Sequence, residues 1–232
     1  TYQDNRARVP DSVIVQPKLD GFRCLGSYKQ LRTRTNLLLP AFPQINKALS
    51  FLPPEIVLDG ELYNHGRRFQ SIMKSRSNIP SNDSLFIEYH VYDLVDNSLP
   101  YTTRRTTLSE IVLDLQDAYE KKPFIYQDQP IPFPIMPVST YHVKSSEIDT
   151  YLTKFESEGY EGLMVRNPVS PYELDTRSYG LLKYKRKEID YYKIVGIVPG
   201  PTSPKLGIYV CELPNKTRFN CTPKGTEDFK KS

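Results

Sequence analysis

The sequence predicts an α+β fold of mixed antiparallel sheets with flanking helices, and three features of the chain support this prediction. Segment 84–94 alternates in the manner of a strand, with successive side chains on opposite faces. Apolar residues recur at helical spacing in two separate stretches, 108–119 and 148–155. The elements do not follow a regular strand–helix–strand alternation, which argues against a parallel α/β sheet.

The composition is that of a soluble globular protein. The chain has 232 residues, 38% hydrophobic and 25% charged, and its formal net charge of +4 permits nucleic-acid binding without requiring it. No apolar run is long enough to cross a membrane, and the polar start predicts no signal peptide. The three cysteines are too scattered for a disulfide framework or a zinc site. We therefore expect a reducing intracellular compartment, the cytoplasm or the nucleus.

The first half of the chain is rich in predicted strands. A short β-branched run at 13–15 predicts a buried strand that leads directly into the segment 17–21. Segments 22–28 and 31–35 are expected to form a hairpin. Another apolar strand is predicted over 55–62, with two carboxylates and a glycine near its end.

The second half combines two helices with two further strands. The helix around 148–155 is expected to be capped by Ser145 and Ser146 and to end at Gly159. Strands are then predicted over 161–166 and 181–187.

The last part of the chain reads as a separate small β-rich unit. We place the boundary near Glu188, which divides the chain into units 1–188 and 189–232. The second unit contains a predicted strand at 192–198 and a hairpin built from 208–213 and 217–221. About 44 residues are few for an independently stable domain.

Lys18 is the first candidate for chemistry because it follows a buried strand. A lysine at a strand end can lose solvent and meet a metal or another cation, which frees its lone pair for nucleophilic attack. Asp20, Gly21 and Arg23 follow it, and the glycine would let the backbone turn tightly or approach a ligand. Taken alone, the segment is more typical of an ordinary surface lysine before a turn.

Four further charged residues lie within or at the ends of predicted strands. Glu61 and Glu161 are separate carboxylates that could hold a hard divalent cation with its waters. Lys183 and Lys185 alternate along one predicted strand, so both would lie on one face and could meet a polyphosphate. The alternative interpretation of all four is solvated surface charge.

The order of these motifs resembles that of the covalent nucleotidyltransferases, which comprise ATP-dependent DNA ligases, RNA ligases and mRNA capping guanylyltransferases. The resemblance covers about 16–187, and five motifs in order carry it. They are Lys-x-Asp-Gly-x-Arg at 18–23, Asp-Gly-Glu at 59–61, an aromatic strand at 84–94, Glu-Gly-hydrophobic at 161–163 and Leu-Leu-Lys-x-Lys at 181–185. Unit 1–188 would then be the adenylation (nucleotidyltransferase) domain.

The resemblance implies a role for each motif. Lys18 would attack the α-phosphorus of ATP and become linked to AMP. Glu61 and Glu161 would support Mg²⁺ or Mn²⁺, and Glu61 would also contact the nucleotide. The remaining implied contacts are those of Lys183 and Lys185 with the α-phosphate, Arg23 and Arg34 with AMP and the 5′-phosphate of a nick, Tyr92 with the face of adenine, and Gln16 with the adenine edge.

Within this superfamily, the residues at the motif positions resemble those of the small ATP-dependent DNA ligases of viruses and phages. Arg23 ends the first motif, and the segment 181–185 has no tryptophan, unlike capping enzymes. The resemblance implies a monomer that seals 5′-phosphate/3′-hydroxyl nicks in duplex DNA through lysyl-AMP and a DNA-adenylate. An RNA ligase, a capping guanylyltransferase and a non-catalytic nucleic-acid-binding module are the alternatives.

Unit 189–232 resembles the first part of an oligonucleotide-binding (OB-fold) barrel. A complete barrel of this type has five strands, whereas about three are readable in this unit. The family's final motif, which helps to orient the leaving pyrophosphate, is not found. Because an unfinished barrel would expose unpaired strand edges, we expect the natural protein to continue beyond residue 232; the alternative is that another element substitutes for the missing part.

Overall fold

The computed structural model describes residues 1–66, 79–174, 178–186, 190–200 and 207–223. The chain divides into two compact units, Thr1–Arg186 and Lys187–Ser232. The boundary residue expected from the sequence, Glu188, and the end of the predicted strand 181–187 lie outside the described residues. In the described part of the chain, no helix is both long enough and apolar enough to cross a membrane.

The first unit mixes short and long helices with antiparallel strands. Its described helices are α1 (Tyr2–Asn5), α2 (Pro43–Leu49), α3 (Asn82–Leu85), α4 (Tyr101–Lys121) and α5 (Ile148–Ser157). Its described strands are β1 (Ser12–Lys18), β2 (Phe22–Ser27), β3 (Gln30–Thr33), β4 (Leu58–Tyr63), β5 (Glu88–Leu94), β6 (Ile125–Tyr126), β7 (Gln129–Pro130), β8 (Ile135–Pro137), β9 (Tyr141–Lys144), β10 (Gly162–Arg166) and β11 (Leu181–Tyr184).

One four-stranded sheet has the order β11-β10-β1-β9, and all its pairs are antiparallel. One face of this sheet is apolar and carries Val13, Val15 and Val165. These side chains are buried in a cluster with Ile148 and Leu152 of α5. The opposite face of β1, β10 and β11 is therefore free to carry polar side chains.

A second sheet has the order β3-β2-β4-β5-β8, in which only the β5–β8 pair is parallel. Its core is a separate cluster that α2 and α4 complete, with Leu49 and Leu108 fully buried. The predicted helix over 108–119 is confirmed and is longer than its apolar stripe. The predicted hairpin is also confirmed, as β2 and β3.

Two local predictions are wrong in detail. Segment 84–94 is a strand only from Glu88, because Ser81 caps a short helix by accepting a hydrogen bond from the Ser84 N–H at 3.2 Å. The serines expected to cap the second helix instead form a 3₁₀ turn, Ser145–Glu147, where Glu147 accepts from the Lys144 N–H at 2.8 Å. That helix ends before Gly159, as expected.

The second unit contains three described strands, β12 (Lys193–Pro199), β13 (Gly207–Glu212) and β14 (Arg218–Cys221). They form an antiparallel sheet in sequence order, with a bulge between Ile194 and Gly196. The strands predicted from the sequence are thus present, but the described residues do not close a barrel. Its assignment as part of an OB fold stays a prediction.

Candidate active site

The register of the first sheet places the candidate lysines on one face. Lys18 is the last residue of β1 and lies opposite Gly162 of β10. Two residues earlier on β1, Gln16 lies opposite Met164, and Met164 also pairs with Lys183 of β11. Directly paired residues of antiparallel strands project to the same side of a sheet. Gly162 is needed here, because a Cβ at this position would lie 2.4 Å from the Tyr184 carbonyl oxygen.

Glu161 joins two of the lysines. Its Oε2 accepts a hydrogen bond from Lys18 Nζ, and its Oε1 accepts one from Lys185 Nζ at 2.7 Å. Burial acts to raise the pKa of Glu161, but the hydrogen bonds from Lys18 and Lys185 outweigh it and lower the pKa. The carboxylate therefore stays ionised and holds Lys18 in a fixed position.

Glu61 lies on β4 of the second sheet, and its pKa is shifted in the opposite direction from that of Glu161. Burial raises its pKa to about 7, although a hydrogen bond from the Gly21 N–H and the charge of Lys18 oppose this effect. The Gly21 N–H donates to Glu61 Oε1 at 2.9 Å. A side chain at Gly21 would collide with the second sheet, because its Cβ would lie 2.3 Å from the Leu62 carbonyl oxygen.

The two glutamates provide ligands of the kind that Mg²⁺ or Mn²⁺ prefers. Both carboxylates interact electrostatically with Lys18, so they face a common region. Among the residues that the structure describes, no group of three or more His, Cys, Asp or Glu side chains could hold a metal ion by itself. Magnesium usually takes one or two carboxylates plus the phosphates of its substrate, and the pair fits that pattern.

Arg23 is fixed by a carboxylate that lies deeper in the second sheet. Its Nε and Nη2 donate to Asp59 Oδ1 and Oδ2 at 3.0 and 2.7 Å. The Asp59 hydrogen bonds raise the pKa of the Arg23 guanidinium further above its usual value. Asp59 is 2% exposed, whereas the Arg23 side chain is 46% exposed. A buried carboxylate therefore holds a guanidinium that is partly accessible to solvent.

A cavity of about 680 Å³ in the first unit is open to Arg23 and Lys183. Met164 and Arg166 of β10 also line it, together with Tyr172 from the following loop. The other predicted site residues are not among its described lining residues. Lys18 lies on the same sheet face as Met164, because it is two residues along β1 from Gln16, which pairs with Met164.

The two predicted adenine-binding residues differ in their exposure. Tyr92 is half-buried on β5, and its ring centre lies 5.5 Å from the Arg166 guanidinium carbon. The Gln16 side chain is only 1% exposed and donates to Tyr101 Oη and Thr140 Oγ1 at 2.9 and 3.0 Å. Because it also accepts from Arg166 at 2.6 Å, its amide is already committed to internal bonds.

A buried ionic network supports this part of the site, and the motifs did not reveal it. Asp93 accepts hydrogen bonds from Arg104 at 2.7 and 3.1 Å and from Arg166 at 2.8 Å, and all three residues are at least 95% buried. Two signals were available in the sequence. Asp93 lies on the inward face of its strand, and Arg104 is four residues before Leu108 on the apolar stripe of α4.

In the part of the chain that the structure describes, Arg34 is not hydrogen-bonded or ion-paired to the other predicted site residues. It is exposed in the turn that follows β3, where Asn36 N donates to the Thr33 carbonyl at 2.9 Å. Within the described residues, the structure shows no hydrogen bond or ion pair that would bring Arg34 to Lys18.

Comparison with known sequences identifies relatives over most of the chain. A family model described as "ATP dependent DNA ligase domain" matches residues 3–185. A DNA ligase of African swine fever virus (isolate Pig/Kenya/KEN-50/1950) is 30% identical over 227 residues, which cover 91% of this chain and 51% of the viral protein. A DNA ligase of Pyrobaculum calidifontis is 26% identical over 204 residues, covering 78% and 32% of the two chains. The chain thus spans about half the length of the viral relatives it matches.

Comparison with solved structures supports the fold. A structure from a study of Lig E DNA ligases superposes with a TM-score of 0.75 at 21% identity, covering 94% of this chain and 80% of that chain. The Chlorella virus DNA ligase-adenylate gives a TM-score of 0.60 at 19% identity, covering 94% and 81%. Both show that the α+β arrangement is that of ligase structures.

Proposed function

The chain belongs to the ATP-dependent DNA ligase family, and from this membership we propose that it seals 5′-phosphate/3′-hydroxyl nicks in duplex DNA. The observation that carries the proposal is the position of Lys18, whose nitrogen is held by Glu161 beside Lys185, on the sheet face that also carries Lys183. A single reactive amine among phosphate-binding cations suits nucleotidyl transfer.

Lys18 would act as the nucleophile of the first step. Its nitrogen attacks the α-phosphorus of ATP, a P–N bond forms, and the P–O bond to the leaving group breaks so that pyrophosphate departs with the electron pair. The nitrogen attacks only after it releases a proton, because an ammonium group has no lone pair. Glu161 keeps the side chain oriented toward the site before the reaction.

Two further steps would complete the cycle. An oxygen of the 5′-phosphate attacks the phosphorus of AMP, and the P–N bond to Lys18 breaks. The 3′-hydroxyl then attacks the 5′-phosphorus, the phosphodiester forms and AMP leaves. Every step develops negative charge on phosphoryl oxygens, so fixed cations supply most of the catalysis that the protein can offer.

The remaining residues would bind and orient the substrate. Lys183 and Lys185 contact the α-phosphate, and Arg23 presents its guanidinium to the AMP and the 5′-phosphate. When bound by Glu61 and Glu161, Mg²⁺ or Mn²⁺ would neutralise phosphate charge. Three contacts complete the proposed set: Tyr92 under the adenine, Gln16 at its edge through the backbone of β1, and Arg34 on the DNA.

Labelling of the protein tests the first step directly. The full-length protein is incubated with Mg²⁺ and ATP carrying a labelled α-phosphate, then denatured and resolved. We expect an acid-labile label on the wild type and none on Lys18→Ala. Lys121→Ala serves as the matched control, since Lys121 is an exposed lysine at the end of α4 that pairs with Asp117. An unlabelled wild type, or equal label on Lys18→Ala, contradicts the proposal.

Substrate choice separates the alternatives. A DNA ligase uses ATP and joins nicked DNA, a capping enzyme prefers GTP, and an RNA ligase prefers an RNA strand. A non-catalytic binding module would retain nicked DNA without any label on Lys18. Parallel assays with both nucleotides and both kinds of nick distinguish these outcomes.

A further inference from the structure

The loop that follows β10 is pinned to the start of α4. The backbone N–H groups of Tyr101 and Thr102 donate to the carbonyls of Ser170 and Pro168 at 3.0 and 3.1 Å. Arg104 Nη1 also donates to the Ser170 carbonyl, at 3.0 Å. These bonds satisfy donors at a helix N-terminus and fix the backbone just before Tyr172.

Tyr172 reaches from this loop to the second sheet. Its hydroxyl donates to Asp59 Oδ2 at 2.8 Å and accepts from Arg23 Nη2 at 3.2 Å. The side chain is 9% exposed. Because the loop connects β10 and β11 of the first sheet, whereas Asp59 and Arg23 belong to β4 and β2, the hydroxyl links the two sheets that carry the proposed site.

The link determines which edge of Arg23 remains available. A guanidinium has five N–H donors, on Nε, Nη1 and Nη2. The Arg23 Nε and Nη2 atoms donate to Asp59, and Nη2 also donates to the Tyr172 hydroxyl. In the described part of the chain, no hydrogen bond is made by Nη1, and the half-exposed arginine is one of the residues that line the cavity.

We propose that Tyr172 is a positioning residue that ties the Arg23–Asp59 pair of the second sheet to the loop after β10, so that the Nη1 edge of Arg23 meets a phosphate of the substrate. This inference rests on the proposed ligase function. Burial and the charge of Asp59 raise the pKa of the Tyr172 hydroxyl, which therefore remains a donor at any working pH. Without it, Asp59 keeps Arg23 as a partner, but the pair loses its tie to the first sheet.

The principal experiment compares Tyr172→Phe with Tyr119→Phe in the full-length protein. Tyr119 is a matched control because it is also buried and its hydroxyl donates a single hydrogen bond, at 3.1 Å, to the Ile131 carbonyl. At saturating nicked DNA, we expect Tyr172→Phe to slow AMP transfer to the 5′-phosphate by about tenfold, as for loss of one hydrogen bond to an ionic pair. The Tyr119→Phe protein should transfer AMP at the wild-type rate.

A double-mutant cycle shows whether the effect passes through Arg23. In an Arg23→Lys background the cation remains, but lysine has no second edge to present. There, Tyr172→Phe should change the transfer rate by less than about twofold. A tenfold loss in that background, or equal losses in Tyr172→Phe and Tyr119→Phe, would overturn the assignment.

A spectroscopic readout keeps the inference testable if the wild type seals no nicks, an outcome that would refute the proposed function alone. In the nitrogen-labelled protein, the Arg23 Nε–H signal should exchange with solvent about tenfold faster in Tyr172→Phe than in wild type or Tyr119→Phe. Unchanged exchange in Tyr172→Phe would show that the hydroxyl does not hold Arg23.

Discussion

Substitution of Glu61 by glutamine should remove a pH dependence from the folding stability. Burial raises the pKa of Glu61 from 4.5 to about 7 in the folded protein. Between these values the folded state binds the proton more tightly than the unfolded state, so the free energy of unfolding falls as the pH rises. A difference of about 2.5 pKa units corresponds to about 3 kcal/mol, of which about 2.5 kcal/mol lies between pH 5 and pH 8.

Urea unfolding of wild type and Glu61→Gln at pH 5 and pH 8 measures this quantity. Glutamine has no charge to bury and can still accept the hydrogen bond from the Gly21 N–H. The variant should therefore gain about 2.5 kcal/mol relative to wild type on going from pH 5 to pH 8. Glu110→Gln, a change on the exposed face of α4, should follow the wild-type pH dependence. Parallel pH curves for wild type and Glu61→Gln would refute the argument that burial controls this carboxyl.

Three further predictions concern other contacts of the site. Replacing Asp93 by asparagine leaves two buried arginines without their anion and should lower the free energy of unfolding by about 3–5 kcal/mol in urea titrations. Gly21→Ala should cost more than about 2 kcal/mol and lower lysine labelling, because its Cβ meets a carbonyl at 2.3 Å, whereas Gly196→Ala, with its nearest contact at 3.9 Å, should cost under about 1 kcal/mol. Glu161→Gln should slow labelling of Lys18 by at least about tenfold while the circular dichroism spectrum is unchanged, since the hydrogen bond that positions the amine becomes weaker.

The fold class was predictable because its signals are local. Strand alternation, the apolar stripe of α4 and the β-rich pattern near the end of the chain each depend on residues within one segment, and the structure shows a strand from Glu88, the helix α4 and three strands in the second unit. The short helix α3 was missed for the same kind of reason. Its alternating pattern suggests a strand, but one serine hydroxyl at Ser81 satisfies the helix N-terminus and decides the local conformation.

The site was only partly predictable, because its supporting contacts join distant parts of the chain. Lys18 and Glu161 were recognised from motifs, and the structure brings them into contact across 143 positions. Tyr172 and Asp59 meet across 113 positions, and no periodicity in either segment predicts that contact. The charged residues of the buried network were weakly indicated by the sequence, because they lie on otherwise apolar faces. Their partners could not be identified without the sheet register.

The two glutamates show how the sheets divide one chemical task. Glu161 receives two lysine hydrogen bonds from its own sheet region, which hold its pKa low, whereas Glu61 is buried in the other sheet, and its pKa is about 7. Two carboxyl groups whose pKa values are shifted in opposite directions can take different roles at one pH. The Glu161 carboxylate accepts hydrogen bonds from Lys18, the proposed nucleophile, and from Lys185, whereas burial raises the pKa of Glu61. Binding of a metal with the nucleotide would therefore complete the site, because the charge of Glu61 is most favourable when that cation is present.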